Sequence, residues 1–243
     1  MPHIVWIHGF PLSSKVYAKQ LSIAAAQHIA PDLAGFGTAQ APNREYTMND
    51  YAKDILRELD SRKIEKAIFA GLSMGGYIVF ALARMAQQRM QGVILIDTRE
   101  TADTPEARKG RYDTIEKVKQ GGVSVVAESM LPKMLTAAAP RDMVDGARNI
   151  MMESSPAGVV HALRAMAERP DSTDILKQID APALVVVGES DSITPPADAE
   201  RMARNMRNAT LVTIRGAAHL SNFEQPEQFN EAVNAFLQRL ERG

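Results

Sequence analysis

A G-x-S-x-G string at residues 71–75 places Ser73 between two glycines, directly after an apolar run. A serine hydroxyl is nearly inert at neutral pH, so it needs a base to take its proton and a carboxylate to orient that base. A serine on a sharp turn between a strand and a helix has a strained backbone, and small residues on either side keep other side chains clear of it. We therefore predict Ser73 as a nucleophile, with Gly71 and Gly75 as the small neighbours.

Two later segments offer the base and the acid. Asp191 comes just after the apolar run 183–187, and His219 comes just after the next one, 210–214. Loops at the carboxyl ends of strands are where open α/β sheets collect their functional groups. The pattern predicts a catalytic Ser73, Asp191 and His219 in that chain order, which differs from the orders of trypsin-like and subtilisin-like enzymes.

Other assignments of the acid and the histidine remain open at this point. Asp97, at the end of the fourth predicted strand, is a rival acid, and Glu189 is a weaker one. Asp191 could instead cap a helix that begins near Pro195, and His219 could be a loop histidine with only structural hydrogen bonds.

Attack on a carbonyl also needs donors for the oxyanion that forms. The amide of Met74 follows the nucleophile at the start of a helix, where the helix dipole favours negative charge. The sequence His8-Gly9-Phe10-Pro11 follows the first predicted strand, and Pro11 has no N–H to offer. We therefore predict an oxyanion hole formed by the amides of Phe10 and Met74.

Short β-branched runs alternate with segments of helical period, which predicts a mostly parallel six-stranded sheet with helices on both faces. The predicted strands cover residues 4–7, 28–33, 67–72, 93–96, 183–187 and 210–214. Thr47 and Asp50 resemble a capping box before a helix, and further helices are expected over 75–88, over 197–206 and from Pro226 onward.

The alternation stops between Asp97 and Asp180, where prolines separate several helical segments. We predict a core domain of residues 1–97 and 180–243 and an inserted helical cap of residues 98–179. Six methionines fall in the cap, and their flexible side chains suit either a varied apolar pocket or, more simply, ordinary helix packing. His161 could touch substrate, although a solvated helix position is the simpler interpretation. No substrate-binding residue can be named.

Composition excludes several classes of function. The 28 basic and 29 acidic residues give a net charge of −1, so neither nucleic acid nor a membrane surface is an expected partner. The absence of cysteine removes thiolate metal sites, and the five histidines lack H-E-x-x-H spacing, so no metal is expected. No phosphate-binding glycine motif occurs, and no organic cofactor is expected. The first residues lack a signal-peptide pattern, and no 18-residue apolar run occurs, so a cytoplasmic location is expected.

The chain resembles the α/β-hydrolase fold serine hydrolases, and is similar to compact bacterial esterases, enol-lactonases and cofactor-free perhydrolases. The matching motifs occur in family order: H-G-F-P at 8–11, D-L-A-G-F-G at 32–37, G-L-S-M-G-G at 71–76, G-E-S-D at 188–191 and G-A-A-H at 216–219. The resemblance implies hydrolysis through an acyl-enzyme without metal or organic cofactor. Family members usually carry a β-hairpin before the first strand here, so a shortened sheet with an exposed edge is expected, in a monomer or a homodimer.

The residues and the resemblance together predict a hydrolase of small, fairly apolar carboxylic esters. Lactone hydrolysis, carbon–carbon bond hydrolysis and perhydrolysis would use the same residues, so they stay open. A different class of function is a ligand-sensing receptor on the same fold, in which cap movement signals to a partner.

Overall fold

The computed structural model describes residues 1–242 and contains one six-stranded sheet in the order β2-β1-β3-β4-β5-β6. Every neighbouring pair of strands is parallel. The predicted fold class is therefore confirmed. The strands are β1 (His3–Ile7), β2 (Gln27–Ile29), β3 (Ala67–Leu72), β4 (Met90–Ile96), β5 (Ala183–Gly188) and β6 (Ala209–Ile214).

The sheet separates two apolar layers, because successive side chains of a strand point to opposite faces. In β1, Val5 and Ile7 belong to one buried cluster, whereas Ile4 and Trp6 belong to the other. Both faces are covered, so the inner strands are apolar and buried over most of their length, as is typical of parallel sheets.

The helices that cover the sheet occur mostly where the sequence predicts them. They are α1 (Met48–Ser61), α2 (Met74–Ala86), α3 (Pro105–Gly121), α4 (Ser124–Met134), α5 (Arg141–Met152), α6 (Pro156–Ala167), α7 (Thr173–Leu176), α8 (Pro196–Asn205), α9 (Ser221–Glu224) and α10 (Pro226–Arg242). The capping box at the start of α1 is present: the Thr47 hydroxyl accepts from the Asp50 amide, and the Asp50 carboxylate accepts from the Thr47 amide.

The second strand is shorter than predicted. The sequence predicts a strand over 28–33, but β2 contains only three residues and lies at the edge of the sheet. Pro31 has no N–H for a ladder hydrogen bond, and the chain then turns. Asp32 holds this turn by accepting the amides of Ser14 and Thr38 at 2.8 and 2.9 Å. The D-L-A-G-F-G motif is therefore a loop at the sheet's carboxyl edge.

Helices α3 to α7 fall within residues 98–179, and no strand occurs in that stretch of the described chain. That these residues form a cap domain apart from the core stays a prediction. No helix within residues 1–242 is long and apolar enough to cross a membrane.

Candidate active site

Ser73 lies on the predicted sharp turn between β3 and α2. Its backbone has φ 51° and ψ −111°, a conformation that residues other than glycine rarely adopt. The turn packs tightly: a Cβ on Gly75 would lie 2.1 Å from the Ile7 carbonyl oxygen, and one on Gly71 would lie 2.4 Å from the Gly75 carbonyl oxygen. Glycine is therefore needed at both positions for the serine to stand at the edge of the sheet.

The structure brings Ser73, His219 and Asp191 into one hydrogen-bonded chain. The Ser73 Oγ lies 2.9 Å from His219 Nε2, and His219 Nδ1 lies 2.8 Å from Asp191 Oδ2. Because an ionised carboxylate can only accept, Nδ1 carries the proton and Nε2 is left to accept from the serine hydroxyl. The histidine is thus oriented at one nitrogen and placed to accept the serine proton at the other.

Asp191 does not cap the following helix, which has Pro195 at its N-cap and no side-chain capping bond. Its Oδ1 accepts the amides of Ile193 and Thr194 at 2.8 and 3.0 Å, and its Oδ2 accepts the Thr194 hydroxyl at 2.6 Å. Burial alone would raise the pKa of Asp191, but the hydrogen bonds from His219 and Thr194 outweigh burial and lower it. The carboxylate therefore stays charged next to the histidine.

Thr194 is a residue of this site that the sequence analysis did not identify. It is buried, and its hydroxyl donates to Asp191 while lying 3.3 Å from His219 Nδ1. A threonine three residues after an aspartate is a common turn pattern, and this was the signal available in the sequence.

Asp97, the rival acid, is buried and has a role different from that of Asp191. Its Oδ1 accepts the Gly188 amide at 2.8 Å, and its Oδ2 accepts the amide and hydroxyl of Ser221 at 3.0 and 2.6 Å. No hydrogen bond joins it to His219 within the described residues. Asp97 therefore ties the strand that leads to Asp191 to the segment that follows His219.

The surroundings of Asp97 disfavour its charge. Burial and the neighbouring charge of Asp191 raise the pKa of Asp97 to about 7. Its backbone has φ 45°, a second strained position at the edge of the sheet. Glu189, the weaker candidate, is exposed and accepts only the Gly216 amide at 3.2 Å.

The two amides predicted to hold an oxyanion lie on adjoining loops. Met74 is the first residue of α2, and Phe10 follows β1, whose end touches the serine turn at Gly75. Within residues 1–242 neither amide donates to a protein acceptor. Both are therefore available as donors.

His8 fixes the loop that carries Phe10, a role absent from the sequence prediction. Its Nε2 accepts the Leu33 amide at 2.9 Å, so its Nδ1 must donate to the Gly9 carbonyl oxygen, also at 2.9 Å. Burial lowers the pKa of His8 to about 4. The neutral ring joins the loop after β1 to the loop after β2, which supports the Phe10 amide without adding charge.

The cap reaches the loops around Ser73 through polar contacts. The Ser154 hydroxyl donates to the Pro11 carbonyl oxygen at 3.1 Å, and the Ser155 amide donates to the Gly35 carbonyl oxygen at 2.9 Å.

The prediction of a solvated His161 is wrong, because this side chain is half-buried and its Nδ1 is enclosed without a partner among the described residues. Helix α6 packs against the core, and the sequence does not show which of its faces does so.

Most cap methionines pack as ordinary core residues. Met134, Met151 and Met166 are buried in the apolar clusters, whereas Met152 is 47% exposed. None is singled out as a substrate contact. No group of three or more His, Cys, Asp or Glu side chains placed to hold a metal ion occurs in residues 1–242.

The chain is similar in sequence and in structure to known proteins. Residues 2–226 match the model of the alpha/beta hydrolase fold family. The chain is 36% identical to a thermophilic esterase from Thermogutta terrifontis, solved with malate bound, with a TM-score of 0.96 over 99% of this chain and 90% of that one. It is 28% identical to the enol-lactonase from Burkholderia xenovorans LB400, with a TM-score of 0.87 over 98% of this chain and 91% of that one.

A curated relative points the same way. The 3-oxoadipate enol-lactonase 2 of Acinetobacter baylyi is 26% identical, over 98% of this chain and 89% of its own length. Both esterases and enol-lactonases hydrolyse an acyl–oxygen bond. The chain belongs to the alpha/beta hydrolase fold family, and it is a hydrolase.

Proposed function

We propose that the protein is a serine hydrolase of small, fairly apolar carboxylic esters, with Ser73 as nucleophile, His219 as general base and Asp191 as the acid that orients it. The observation that carries this proposal is the continuous chain from Ser73 Oγ to His219 Nε2 at 2.9 Å and from His219 Nδ1 to Asp191 Oδ2 at 2.8 Å. Serine nucleophiles are activated by this arrangement.

The reaction would run in two halves. Ser73 Oγ attacks the ester carbonyl carbon while His219 Nε2 takes the hydroxyl proton, and the oxyanion accepts from the amides of Phe10 and Met74. His219 then returns the proton to the leaving alcohol, and the acyl group stays on Ser73. Water attacks this acyl-enzyme with His219 again as base, which releases the acid and restores the serine. No metal or organic cofactor takes part in these steps.

The charge on Asp191 supports both halves. Each attack makes His219 a cation, and a carboxylate whose pKa is lowered stays ionised to stabilise that cation. The buried position of the Asp191–His219 pair strengthens this attraction relative to water.

A second candidate activity is the hydrolysis of lactones, which would use the same residues. The likeness to two enol-lactonases, over 98% of this chain in each case, favours it. In a lactone the leaving alcohol remains joined to the acyl group, so the difference between the two activities lies in the pocket and leaves the triad unchanged.

The test is a panel of p-nitrophenyl esters from acetate to palmitate together with simple lactones, measured for the wild type and for Ser73→Ala. We expect cleavage that is fastest with short acyl chains, and a loss of about 10⁴-fold or more in kcat for Ser73→Ala. A variant that keeps more than a few per cent of turnover would refute the role of Ser73. A folded wild type that turns over no substrate, but melts at a higher temperature with a ligand, would favour a receptor.

A further inference from the structure

Glu224 joins the segment that carries His219 to the cap. This glutamate ends the short helix α9 and is 7% exposed. Its Oε2 accepts the amide of Ala218, the residue before His219, at 2.9 Å. Its Oε1 accepts the amide of Thr136 at 2.8 Å and also the Thr136 hydroxyl. One carboxylate therefore binds both the histidine segment and the turn between α4 and α5.

The residue after His219 is held by the same part of the cap. The Leu220 amide donates to the Met134 carbonyl oxygen at 3.0 Å, and the two side chains are buried in one apolar cluster. Both chain neighbours of His219 are thus connected to cap residues 134–136, Leu220 directly and Ala218 through Glu224. A shift of this turn would therefore disturb both chain neighbours of His219.

A different contact joins the segment that carries His219 to the sheet. Two residues beyond His219, Ser221 donates its amide and hydroxyl to Asp97, at the end of β4. The segment therefore lies between an anchor on the core, Asp97, and an anchor on the cap, Glu224. The core anchor is independent of the cap, whereas the second anchor exists only when the cap is seated.

The bonding of Glu224 requires a carboxylate. Its two oxygens accept from two backbone amides and one hydroxyl. A glutamine has one oxygen and one NH₂ group, so in either orientation its NH₂ would face a backbone N–H and leave it unpaired. If Glu224 served only to fill space beside the His219 segment, an uncharged side chain would do, because burying a charge is costly unless donors compensate it.

We propose that Glu224 is a positioning residue through which the seating of the cap sets the orientation of His219. The proposal rests on the proposed function, in that His219 is the base that activates Ser73. While the α4–α5 turn lies on the core, as in this structure, the bonds of Glu224 are complete and the base is aligned with Ser73. When the turn lifts, the Ala218 and Leu220 contacts loosen, and Ser73 loses its activation.

The test compares Glu224→Gln with Thr136→Val, which removes only the hydroxyl donor on the cap side. We expect kcat on p-nitrophenyl acetate to fall about tenfold for Glu224→Gln and about threefold for Thr136→Val, with KM changed less than about twofold. The double variant should resemble Glu224→Gln alone, since both changes break one linkage.

The control is Glu45→Gln, which breaks the cap contact between Glu45 and Arg164 far from the histidine segment. It should leave kcat unchanged, because an exposed ion pair contributes little. Equal losses in the control and in Glu224→Gln would overturn the proposal. So would an unchanged kcat in a folded Glu224→Gln, or additive effects in the double variant. If Glu224→Gln fails to fold, an unchanged kcat in Thr136→Val overturns it.

A readout independent of turnover separates this proposal from the proposed function. The His219 Nδ1 proton, hydrogen-bonded to Asp191, should give a downfield proton NMR signal, which we expect to broaden or shift in Glu224→Gln and Thr136→Val but not in Glu45→Gln. The variants could show this pattern although the wild type cleaves no ester and its Ser73 is not labelled by a fluorophosphonate. That result would refute the proposed function and leave the positioning role intact. An identical signal in all four proteins would refute the positioning role.

Discussion

The edge of the sheet and the cap place their residues by different physical means. At the sheet edge, Ser73 follows β3 and Asp191 follows β5, and each of these strands has a parallel neighbour on both sides. His219 follows β6, which pairs with β5. In the cap, position depends on apolar side chains packed against the core and on single polar contacts, among them those of Ser154, Ser155 and Thr136 with core loops.

This difference explains how one fold serves many substrates. Ladder hydrogen bonds and a core buried on both faces hold the reacting groups, and small changes there are costly. Within residues 1–242 no strand ladder joins the cap to the sheet, so a shift of the cap breaks side-chain packing and single hydrogen bonds only. We therefore expect substitutions at the sheet edge, and at the Glu224 linkage that reaches it, to change kcat. Substitutions at the other cap contacts should change KM or the preferred substrate.

The largest expected effect is that of Asp191→Asn. An asparagine can offer its NH₂ to His219 Nδ1 and so favour the wrong tautomer, which should lower kcat about 10³- to 10⁴-fold with the fold intact. Steady-state kinetics and a melting curve would measure both. The matched control is Glu189→Gln, two residues earlier and exposed, which should keep nearly full activity. If Asp97→Asn removed activity and Asp191→Asn did not, Asp97 would be the acid.

Two glycine substitutions compare the regions directly. A Cβ on Gly75 would lie 2.1 Å from the Ile7 carbonyl oxygen, and a Cβ on Gly158, in cap helix α6, would lie 2.3 Å from the Gly35 carbonyl oxygen. We expect Gly75→Ala to lower kcat about 100-fold, because the serine turn must move. Gly158→Ala should displace only the cap, raising KM about threefold or more and altering acyl-chain preference, at about 1–3 kcal/mol of stability.

The same ester panel, run with a melting curve for each variant, checks these expectations. A large kcat loss in Gly158→Ala with an unchanged KM would show that the cap is as tightly coupled to the chemistry as the sheet edge is. That outcome would remove the contrast between the two regions.

A smaller effect is expected from Thr194→Val. This change removes the hydroxyl that donates to Asp191 Oδ2 at 2.6 Å, while the Ile193 and Thr194 amides still hold Oδ1. A net loss of about 1 kcal/mol corresponds to a fall in kcat of about fivefold. Thr194→Ser keeps the hydroxyl and should retain most of the activity. A larger loss in Thr194→Ser than in Thr194→Val would show that the methyl group matters more than the hydrogen bond.

The smallest effect on rate is expected at Asp97, where a substitution should mainly change the pH dependence of stability. Its pKa is raised to about 7 in the folded protein, against about 3.9 in an unfolded chain. Between these values the folded state binds more protons, so its stability should fall as pH rises from about 4 to about 7. Above pH 7 this contribution should no longer change.

Asp97→Asn should flatten this part of the pH profile while lowering stability throughout, because one donor to Asp97 loses its acceptor. Melting temperatures of both proteins from pH 5 to pH 8 would measure the difference in slope. Parallel profiles would contradict a raised pKa. The lowered pKa of Asp191 acts in the opposite direction: its contribution is lost only when pH falls below its unfolded value, near 4.

Much of the fold follows from local sequence signals. The strands were predicted because buried parallel strands are continuous apolar runs, and α1 because its capping box and helical period agree. The predicted strand over 28–33 is too long because its apolar residues continue past Pro31, which cannot donate to a ladder. The positions of Ser73, Asp191 and His219 were predictable because each follows a strand that brings it to one edge.

The sequence by itself determined which residue types reach the sheet's carboxyl edge, since the strands and the turn residues that follow them are encoded locally. Only the tertiary structure decided what each one touches. Asp191 and Asp97 both follow strands, and which of them meets His219 depends on how separate segments pack. Asp191 bonds His219, 28 residues away, whereas Asp97 bonds Ser221, 124 residues away. The contacts of Thr194, His8 and Glu224 are of the same kind, because a hydrogen bond across the fold leaves no periodic trace in the chain.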